Sequence, residues 1–275
     1  MFRLSIIIVS YNARPELERC LESLVQLPPK VEHEIVVVDN ASTDGNADLV
    51  RKKWPKIRLI ETGSNLGFSR ATNIGIRNTS SEFILLLNGD TIVNDGAIDN
   101  LVNKLDTRLD VAVIGPKLVD GKEKTELSFG PMISPLGDAW QKLLVHGNDY
   151  QIEPIRSYVK NLTQKEHEVD WVSGACLLVR RHDAEAVGLL DERYFMYAED
   201  VDFCAAVRAN GKKILFTPTT KIVHLRGRSA LTKPQLTKTN YHRSKLAFYK
   251  KHHPQWTQIL QIYLRLRGYN FDTDI

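Results

Sequence analysis

Hydrophobic and polar residues follow two alternating patterns along the first 115 residues. Short, nearly continuous apolar runs are typical of strands covered on both faces, and they predict strands at 4–10, 34–39, 57–61, 82–87 and 111–115. Apolar residues at helical spacing predict helices between these strands, at 17–25, up to about 54, at 68–78 and at 95–105. Strands and helices in alternation imply parallel, right-handed crossovers. The sequence therefore predicts a doubly wound α/β sheet.

The second half of the chain is less regular. Residues 116–168 are polar with Gly and Pro, which predicts loops around short helices, and residues 171–181 predict one strong strand. The remaining predictions are helices at 199–211, 238–253 and 256–267 and strands at 212–217 and 221–225. No clear linker interrupts the chain. We therefore expect a main domain over 1–225, with a basic C-terminal extension over 226–275 packed on it.

The composition excludes several classes of protein. Of the 275 residues, 43% are hydrophobic and 25% are charged, a balance that can fill a sizeable core. No apolar run approaches the ~18 residues that span a bilayer, and the segment LSIIIV is too short for a signal peptide. Three widely spaced cysteines form neither a disulfide framework nor a metal knuckle. These features predict a reduced, cytoplasmic protein.

Charge is distributed unevenly along the chain. Residues 203–271 contain fourteen Lys or Arg and no Asp or Glu, although the net charge of the whole chain is only +4. This asymmetry favours an anionic partner for the C-terminal part: a phosphate group, an anionic membrane surface or nucleic acid. A solvated basic face is the plainer explanation. Nucleic acid ranks lowest among the partners, and we expect none to be bound.

Polar residues follow the predicted strands at their carboxyl ends, where open α/β sheets bind ligands. Ser10 and Tyr11 follow the first strand, Asp39 the second, and Asn88 and Asp90 the fourth. Strand-end turns would also account for these residues. Neither GxGxxG nor GxxxxGK[ST] is present, so a dinucleotide dehydrogenase or a P-loop enzyme is not expected. A hard cation held by Asp90 is another way to bind a diphosphate.

A second acidic group lies in the segment FMYAEDVDFC. Glu199 and Asp200 begin a predicted helix, where the macrodipole alone accounts for negative charge. The apolar residues before them suit a carboxylate with a raised pKa that accepts a proton. His224 ends a predicted strand; a lone His is more often structural, but this one can complete a metal shell. Cations that suit phosphate follow it in the chain: Arg228, Arg243 and Lys245.

An ordered set of segments resembles the family 2 glycosyltransferases of the GT-A fold, and among them the bacterial rhamnosyltransferases. The segments are SIIIVSYN, IVVVDNASTDG, NLGFSRATNIGI, LLLNGDT, WVSGACLLVRR, FMYAEDVDFC and VHLRGRS, and together they cover about residues 3–250. The resemblance implies a GT-A fold and transfer of a sugar, with inversion, from a nucleotide-sugar donor to an acceptor hydroxyl. It also implies Mg²⁺ or Mn²⁺ as the cofactor.

The resemblance assigns the donor side of the site. Ser10 and Tyr11 would line the nucleotide pocket. Asp39 would accept a hydrogen bond from a pyrimidine base or the ribose, and Arg70 would approach the nucleotide. A mobile basic segment over the diphosphate would supply Arg228, Arg243 and Lys245.

The resemblance also assigns the metal, the acceptor and the base. Asp90 corresponds to the metal-binding acid of a DxD motif, but the first acid of that motif is Asn88 in this chain. One carboxylate stands where two are typical, so His224 becomes a stronger candidate for the second metal ligand. The acceptor side would include Trp171 and Gly174. The catalytic base would be Asp200, supported by Glu199, because one carboxylate suffices for a single inverting displacement.

The expected donor is dTDP-L-rhamnose, and the expected acceptor is a hydroxyl of a cell-surface polysaccharide or a lipid-linked saccharide. A UDP-hexose fits the same chemistry. A sugar-1-phosphate nucleotidyltransferase would carry a Gly-rich basic loop after the first strand, which SYNARPELERC lacks. A non-catalytic binding protein would tolerate loss of Asp90 and Asp200. A further hypothesis places the basic C-terminus on the inner surface of the cell membrane.

Overall fold

A computed structural model describes residues 2–225 and 234–271. Its strands are β1 (Leu4–Ser10), β2 (His33–Asp39), β3 (Arg58–Glu61), β4 (Phe83–Leu87), β5 (Thr91–Val93), β6 (Val111–Val119), β7 (Phe129–Gly130), β8 (His167–Val169), β9 (Trp171–Val172), β10 (Cys176–Arg180) and β11 (Lys213–His224). Its helices are α1 (Arg14–Gln26), α2 (Asn46–Lys53), α3 (Phe68–Arg77), α4 (Ala97–Asp106), α5 (Pro135–Asp149), α6 (Ile155–Leu162), α7 (Arg181–Ala186), α8 (Glu199–Ala209), α9 (Pro234–His252) and α10 (Pro254–Leu266).

One large mixed sheet organises the molecule, in the order β3-β2-β1-β4-β10-β6-β11-β5, with β8 beside β11. The first four strands of this order are mutually parallel. Strand β10 runs antiparallel between β4 and β6, and β11 runs parallel to β6. The predicted α/β class is confirmed. The sheet also contains an antiparallel strand in its centre, which the alternation of apolar runs does not reveal.

Apolar side chains fill both faces of this sheet, as the continuous apolar runs predict. One cluster lies between the sheet and α1, α2 and α4, and a second lies between the sheet and α3, α7 and α8. The fully buried strand β4 contributes to both clusters, since alternate side chains of a strand point to opposite faces. Pro15 lies in the first turn of α1, as expected from its missing N–H.

Several predicted elements differ from the structure. Residues 171–181 form two strands, β9 and β10, because a turn at 173–175 separates them. The two strands predicted at 212–217 and 221–225 form one strand, β11. It stays paired with β6 along its length, and the register of that pairing shifts between Thr217 and Lys221. The region 116–168 contains the 15-residue helix α5 and an extension of β6 to Val119. Short elements β5 and α7 were not predicted.

The C-terminal helices pack on the sheet domain through a third apolar cluster. Leu246, Phe248 and Leu260 are buried there with Tyr194 and Val201, which lie before and within α8. Asp202 of α8 stabilises this contact, because its carboxylate forms hydrogen bonds with the side chains of Tyr194, Lys251 and His252. The boundary expected at 225/226 stays a prediction. Among the described residues, no helix has the length and apolar character to cross a membrane.

Candidate active site

The parallel strands β1 and β2 end side by side, so their final residues meet at one edge of the sheet. Ser10 pairs with Asp39 in the strand register, and both are almost fully buried. The Ser10 hydroxyl accepts a hydrogen bond from the Asn46 side chain at 2.8 Å. One carboxylate oxygen of Asp39 accepts the Ser42 N–H at 3.0 Å, and the other is buried with no hydrogen-bond partner among the described residues. Tyr11 lies beside this pair and is 41% exposed.

The loops after β1 and β2 brace each other. The sequence suggests Ser42 or Asp44 as a cap of α2. The N-cap residue is Gly45 in a left-handed conformation, and Asp44 Oδ1 accepts the N–H of Asn46, the first residue of α2, at 3.2 Å. The other oxygen of Asp44 accepts the Arg14 N–H, at the start of α1, at 2.9 Å, and Ser42 accepts the Asn12 N–H at 3.0 Å. The two side chains therefore also fix the loops around Tyr11, through contacts 30 residues apart that local capping patterns do not contain.

Asn40 is a buried residue that directly follows Asp39 at the end of β2. Its amide oxygen accepts the Leu66 N–H at 2.9 Å, and its amide nitrogen donates to Asn65 at 3.0 Å and to the Gly67 carbonyl at 3.2 Å. Asn40 thereby fixes the loop that leads into α3. The signal available in the sequence was an amide directly after an acid at the end of a buried strand.

Gly67 brings the start of α3 against the loop that precedes α8. The N–H of Phe68 donates to the Phe195 carbonyl at 2.6 Å, and a Cβ atom on Gly67 would lie 2.5 Å from that oxygen. On the same side, Arg70 forms an ion pair with Glu192 at 3.5 Å. Helix α3, which carries the predicted nucleotide-binding arginine, is thus connected directly to the segment that carries the predicted base.

We expect Gly67→Ala to destabilise the protein by about 3 kcal/mol or more, because the added methyl group overlaps the Phe195 backbone and the glycine has φ +84° and ψ 172°. Gly63→Ala is the matched control. Gly63 also has positive φ, +75°, but its Cβ would meet nothing within 4 Å, so a cost of about 1 kcal/mol is expected. Urea unfolding measures both values. Equal costs for the two variants would show that the contact with Phe195 is not tight.

The segment Asn88–Asp90 forms a turn at the end of β4. The Asn88 carbonyl accepts the Thr91 N–H at 3.2 Å and its hydroxyl at 2.8 Å, and the Asp90 carbonyl accepts the Leu225 N–H at 2.8 Å. The turn therefore orients the Asp90 carboxylate toward the end of β11. There Asp90 Oδ1 lies 3.3 Å from His224 Nε2, as expected if the two residues share a site.

Glu126 completes this group, and sequence reasoning missed it. Its Oε2 lies 3.2 Å from His224 Nδ1, and all but 6% of its side chain is buried. Burial lowers the pKa of His224, but hydrogen bonds to Asp90 and Glu126 outweigh this effect and raise it to about 9. Glu126 lies in the irregular region after β6 and 98 residues from His224, so no sequence pattern connects the two.

The donor set fits a divalent cation that is shared with a phosphate ligand. Asp90 supplies a carboxylate oxygen and His224 an imidazole nitrogen, and Glu126 holds the opposite ring nitrogen as carboxylates commonly do behind a metal-binding histidine. No cluster of three or more His, Cys, Asp or Glu ligands occurs in residues 2–225 and 234–271. Two protein ligands leave most of a coordination shell to ligand oxygens and water, which is typical of Mg²⁺ bound to phosphates.

Asp200 lies at the same edge of the sheet as Asp90. Its Oδ2 accepts the Gly174 N–H at 2.9 Å, and the neighbouring Ala175 carbonyl accepts the Asn88 N–H at 3.0 Å. The turn between β9 and β10 therefore joins the predicted base to the predicted metal turn. Gly174 lies close to the base, because a Cβ atom there would meet the Asp200 side chain at 3.4 Å, an ordinary van der Waals contact.

The backbone before α8 is held in an uncommon conformation. Tyr197 and Ala198 both have positive φ, at +73° and +65°, directly before Glu199. Consecutive left-handed residues without glycine are strained, and such strain concentrates at functional sites. This geometry aims the first turn of α8 at the β9–β10 turn. The apolar sequence FMYA contains no glycine that would have indicated it.

Glu199 and Asp200 are adjacent acids in different environments. Burial and the charge of Asp200 raise the pKa of Glu199 to about 8, and Glu199 Oε2 is buried with no hydrogen-bond partner in the part of the chain that the structure describes. Burial raises the pKa of Asp200 as well, and hydrogen bonds from the N–H groups of Gly174 and Val201 offset part of this rise. Asp200 is therefore the carboxyl group that ionises first, while Glu199 keeps its proton near neutral pH.

We expect Glu199 to contribute stability that is present below pH 4.5 and is lost as pH rises from about 4.5 to about 8. Over this range the folded protein keeps a proton on Glu199 that an unfolded Glu, with its ordinary pKa of 4.5, has released. Glu199→Gln should remove up to about 1.4 kcal/mol per pH unit of this dependence. Urea unfolding at several pH values tests it, with Glu185→Gln on the exposed face of α7 as the control. An unchanged slope in Glu199→Gln would contradict the raised pKa.

The remaining predicted residues are placed as follows. Trp171 donates its indole N–H to the Pro131 carbonyl at 2.8 Å and packs between the second and third apolar clusters. Lys245 is buried on α9 in an ion pair with Asp138 of α5. Arg243 is exposed on α9. Arg228 lies outside the described residues. The assignment of these cations to the diphosphate stays a prediction.

The fold is the GT-A fold of glycosyltransferases. Solved structures that share the fold include a mannosyltransferase from Pyrobaculum calidifontis in complex with GDP-Man and Mn²⁺, with a TM-score of 0.62 and 18% identity, over 94% of this chain and 68% of that chain. They also include TarS residues 1–349 from Staphylococcus aureus with UDP-GlcNAc, with a TM-score of 0.56 and 20% identity, over 82% of this chain and 60% of that chain.

The chain belongs to glycosyl transferase family 2, whose family model matches residues 5–188. A similar protein is the N-acetylglucosaminyl-diphospho-decaprenol L-rhamnosyltransferase of Mycobacterium tuberculosis, 29% identical over 92% of this chain and 86% of its own length. The hexosyltransferase Agl10 of Haloferax volcanii is 26% identical over 74% of this chain and 61% of its own length. The match to the family model includes Asp39 and Asp90 and ends before α8.

Proposed function

We propose that this glycosyltransferase transfers L-rhamnose from dTDP-L-rhamnose, with inversion, to a hydroxyl of a lipid-linked saccharide or cell-surface polysaccharide. The observation that carries the proposal is the connected edge of the sheet. There Asp200 is hydrogen-bonded to the turn that also holds the Asp90 segment, at 2.9 Å and 3.0 Å. A carboxylate for the acceptor and a carboxylate for the leaving group therefore lie on neighbouring segments.

The donor nucleotide would be held at the ends of β1 and β2. The unpartnered oxygen of Asp39 is a buried acceptor, which suits the ring N–H of a pyrimidine base or a ribose hydroxyl. The half-exposed ring of Tyr11 lies beside it and offers a stacking surface for the base. Both features suit uracil and thymine equally, so UDP-hexoses are the alternative donors.

Asp90 and His224 would hold Mg²⁺ or Mn²⁺, with Glu126 orienting the imidazole. When bound, the ion neutralises charge that develops on the departing diphosphate, and this stabilises the transition state more than the bound donor. Mn²⁺ is named for the mannosyltransferase from P. calidifontis that shares the fold. Arg70 stands near this edge in its ion pair with Glu192 and would approach the nucleotide from α3.

Asp200 would remove the proton of the attacking hydroxyl. Its backbone N–H donors favour its ionised form and oppose the effect of burial, while Glu199 stays protonated near neutral pH, so the pair would supply one base and one hydrogen-bond donor for the acceptor. A single carboxylate accounts for a displacement with inversion. The acceptor would lie against Trp171, at the start of β9, and Gly174, in the β9–β10 turn. The decaprenol-linked substrate in the name of the mycobacterial relative supports a lipid-linked acceptor.

A thermal-shift panel tests the donor assignment. The full chain is heated with dTDP, UDP, GDP, ADP, dTDP-L-rhamnose and UDP-hexoses, each with and without Mn²⁺. We expect the largest stabilisation from dTDP-L-rhamnose with the metal, and none from ADP. A larger shift with a UDP-hexose would replace the rhamnosyl assignment. Stabilisation by purine nucleotides alone would contradict the role of Asp39.

A further inference from the structure

Helix α10 presents two adjacent apolar faces, one buried and one exposed. Thr257, Leu260 and Leu264 form the buried face and pack toward α9. The exposed residues are Trp256, Ile259, Ile262, Tyr263 and Leu266, at 42%, 58%, 59%, 46% and 83% of their full accessibility. A surface helix usually has one apolar stripe, and that stripe is buried. The exposed second apolar face of α10 is therefore expected to bind a partner.

The exposed face is continuous around the helix. At 3.6 residues per turn, the five side chains fall within an arc of about 120°, next to the buried arc. The polar residues Gln258, Gln261 and Arg265 occupy the remaining side. Helix α10 has 13 residues, fewer than the roughly 20 that span a bilayer, so a partner would cover it from the side.

Charge beside this face identifies the partner. Residues 203–271 contain no Asp or Glu, and the exposed Arg265 and Arg267 lie at the C-terminal end of α10. The Arg267 guanidinium lies 5.4 Å from the centre of the Tyr263 ring, which places a cation next to an amphipathic aromatic residue. Apolar residues with Trp and Tyr and a cationic border are typical of helices that lie in an anionic lipid surface.

We propose that the exposed face of α10 docks in the plane of an anionic lipid bilayer. Ile259, Ile262 and Leu266 would enter the acyl boundary, and Trp256 and Tyr263 would lie among the headgroups. A second copy of the chain suits this face less well, because residues 254–267 contain no Asp or Glu with which the arginines of another copy could pair. The proposal stands apart from the donor and acceptor assignments, since lipid binding is measured without turnover.

Co-sedimentation with vesicles tests this surface. The full chain is mixed with phosphatidylcholine vesicles and with vesicles that contain about 30% phosphatidylglycerol. We expect binding to the anionic vesicles, and a partition coefficient at least about tenfold lower for the triple variant Ile259→Gln, Ile262→Gln and Leu266→Gln. The pair Arg265→Gln and Arg267→Gln should lower binding several-fold on anionic vesicles only. Gln258→Ser and Gln261→Ser on the polar side are the matched control.

Circular dichroism verifies that each variant is folded, which is expected because every substituted apolar side chain is more than half exposed. Three outcomes would overturn the proposal. The first is absence of binding by the parent chain. The second is equal binding by the parent and the triple variant, which would leave only a diffuse charge effect. The third is self-association in sedimentation velocity that the triple variant abolishes without any vesicle binding, which would assign the face to a second copy.

Discussion

Asp200→Asn should lower the rate of sugar transfer by about 10³-fold, because an amide cannot accept the proton of the attacking hydroxyl. The substitution preserves shape, and the amide oxygen can still accept the Gly174 N–H that holds the side chain at 2.9 Å. The amide nitrogen cannot accept the Val201 N–H that Asp200 Oδ1 accepts at 2.8 Å, so stability should fall by about 1 kcal/mol while donor binding is unchanged. Steady-state kinetics with a nucleotide sugar and an acceptor gives the rate, and calorimetry gives the donor affinity.

Two other variants define what this result means. Asp95→Asn, in the exposed turn before α4, changes the same chemical group away from the site and should leave the rate unchanged. Glu199→Gln keeps a neutral hydrogen-bonding group beside Asp200 and should have a smaller effect than Asp200→Asn, since Glu199 already carries a proton near neutral pH. Near-normal turnover in Asp200→Asn would remove this carboxylate from the mechanism and transfer the role of base to another group.

Asp90→Asn should lower the rate of transfer by about 10²- to 10³-fold, because it removes the carboxylate charge that would hold the divalent cation against the diphosphate. Binding of a nucleoside diphosphate should also lose its dependence on Mn²⁺. This second measurement separates the metal role from a purely structural one, because a destabilised turn would weaken binding with and without the metal. Calorimetric titration of UDP or dTDP, with Mn²⁺ or with a chelator, provides it.

Glu126→Gln is a milder variant that tests the same proposed metal site. It leaves Asp90 and His224 in place but weakens the contact at 3.2 Å that fixes the imidazole, so metal affinity should fall by about 10- to 100-fold while the saturated rate changes less. If Asp90→Asn still responds to Mn²⁺ as the parent protein does, the cation is bound elsewhere.

The parallel half of the fold could be predicted well from the sequence. Strands β1, β2 and β4 agree with the predictions to within one residue, because both faces of these strands are buried and their apolar runs are continuous. The continuous apolar run at 171–181 was predicted as one strand for the same reason, and that prediction was wrong. Its apolar character reflects burial, whereas the break at 173–175 reflects the Asn88 and Asp200 contacts, which are made by distant segments. The three-residue strand β5 carries too short a pattern to be recognised.

The candidate site shows the same division. Ser10 and Asp39 could be placed side by side because parallel strands end at one edge. Glu126 could not be found, because its contact with His224 spans 98 positions of irregular sequence. Local pattern reasoning suggests Ser42 or Asp44 as a cap of α2, and Asp44 does accept the N–H of Asn46 at the start of that helix. It could not show that Asp44 also accepts the Arg14 N–H and that Ser42 accepts the Asn12 N–H, since capping and loop bracing use the same hydrogen-bond acceptors.

Periodicity and strand-end chemistry by themselves determined the α/β class, the buried strands and the acids at their ends. Continuous apolar runs indicate strands that are buried on both faces, and their alternation with helices indicates parallel strands, so both features can be read from neighbouring residues. Only the tertiary structure decided the antiparallel strand β10 within the sheet, and with it the turn that brings Asp200 toward Asp90. It also decided which face of α10 remains exposed. The physical reason is that these features depend on hydrogen bonds and packing between segments far apart in sequence, whose partners are chosen only when the sheet assembles.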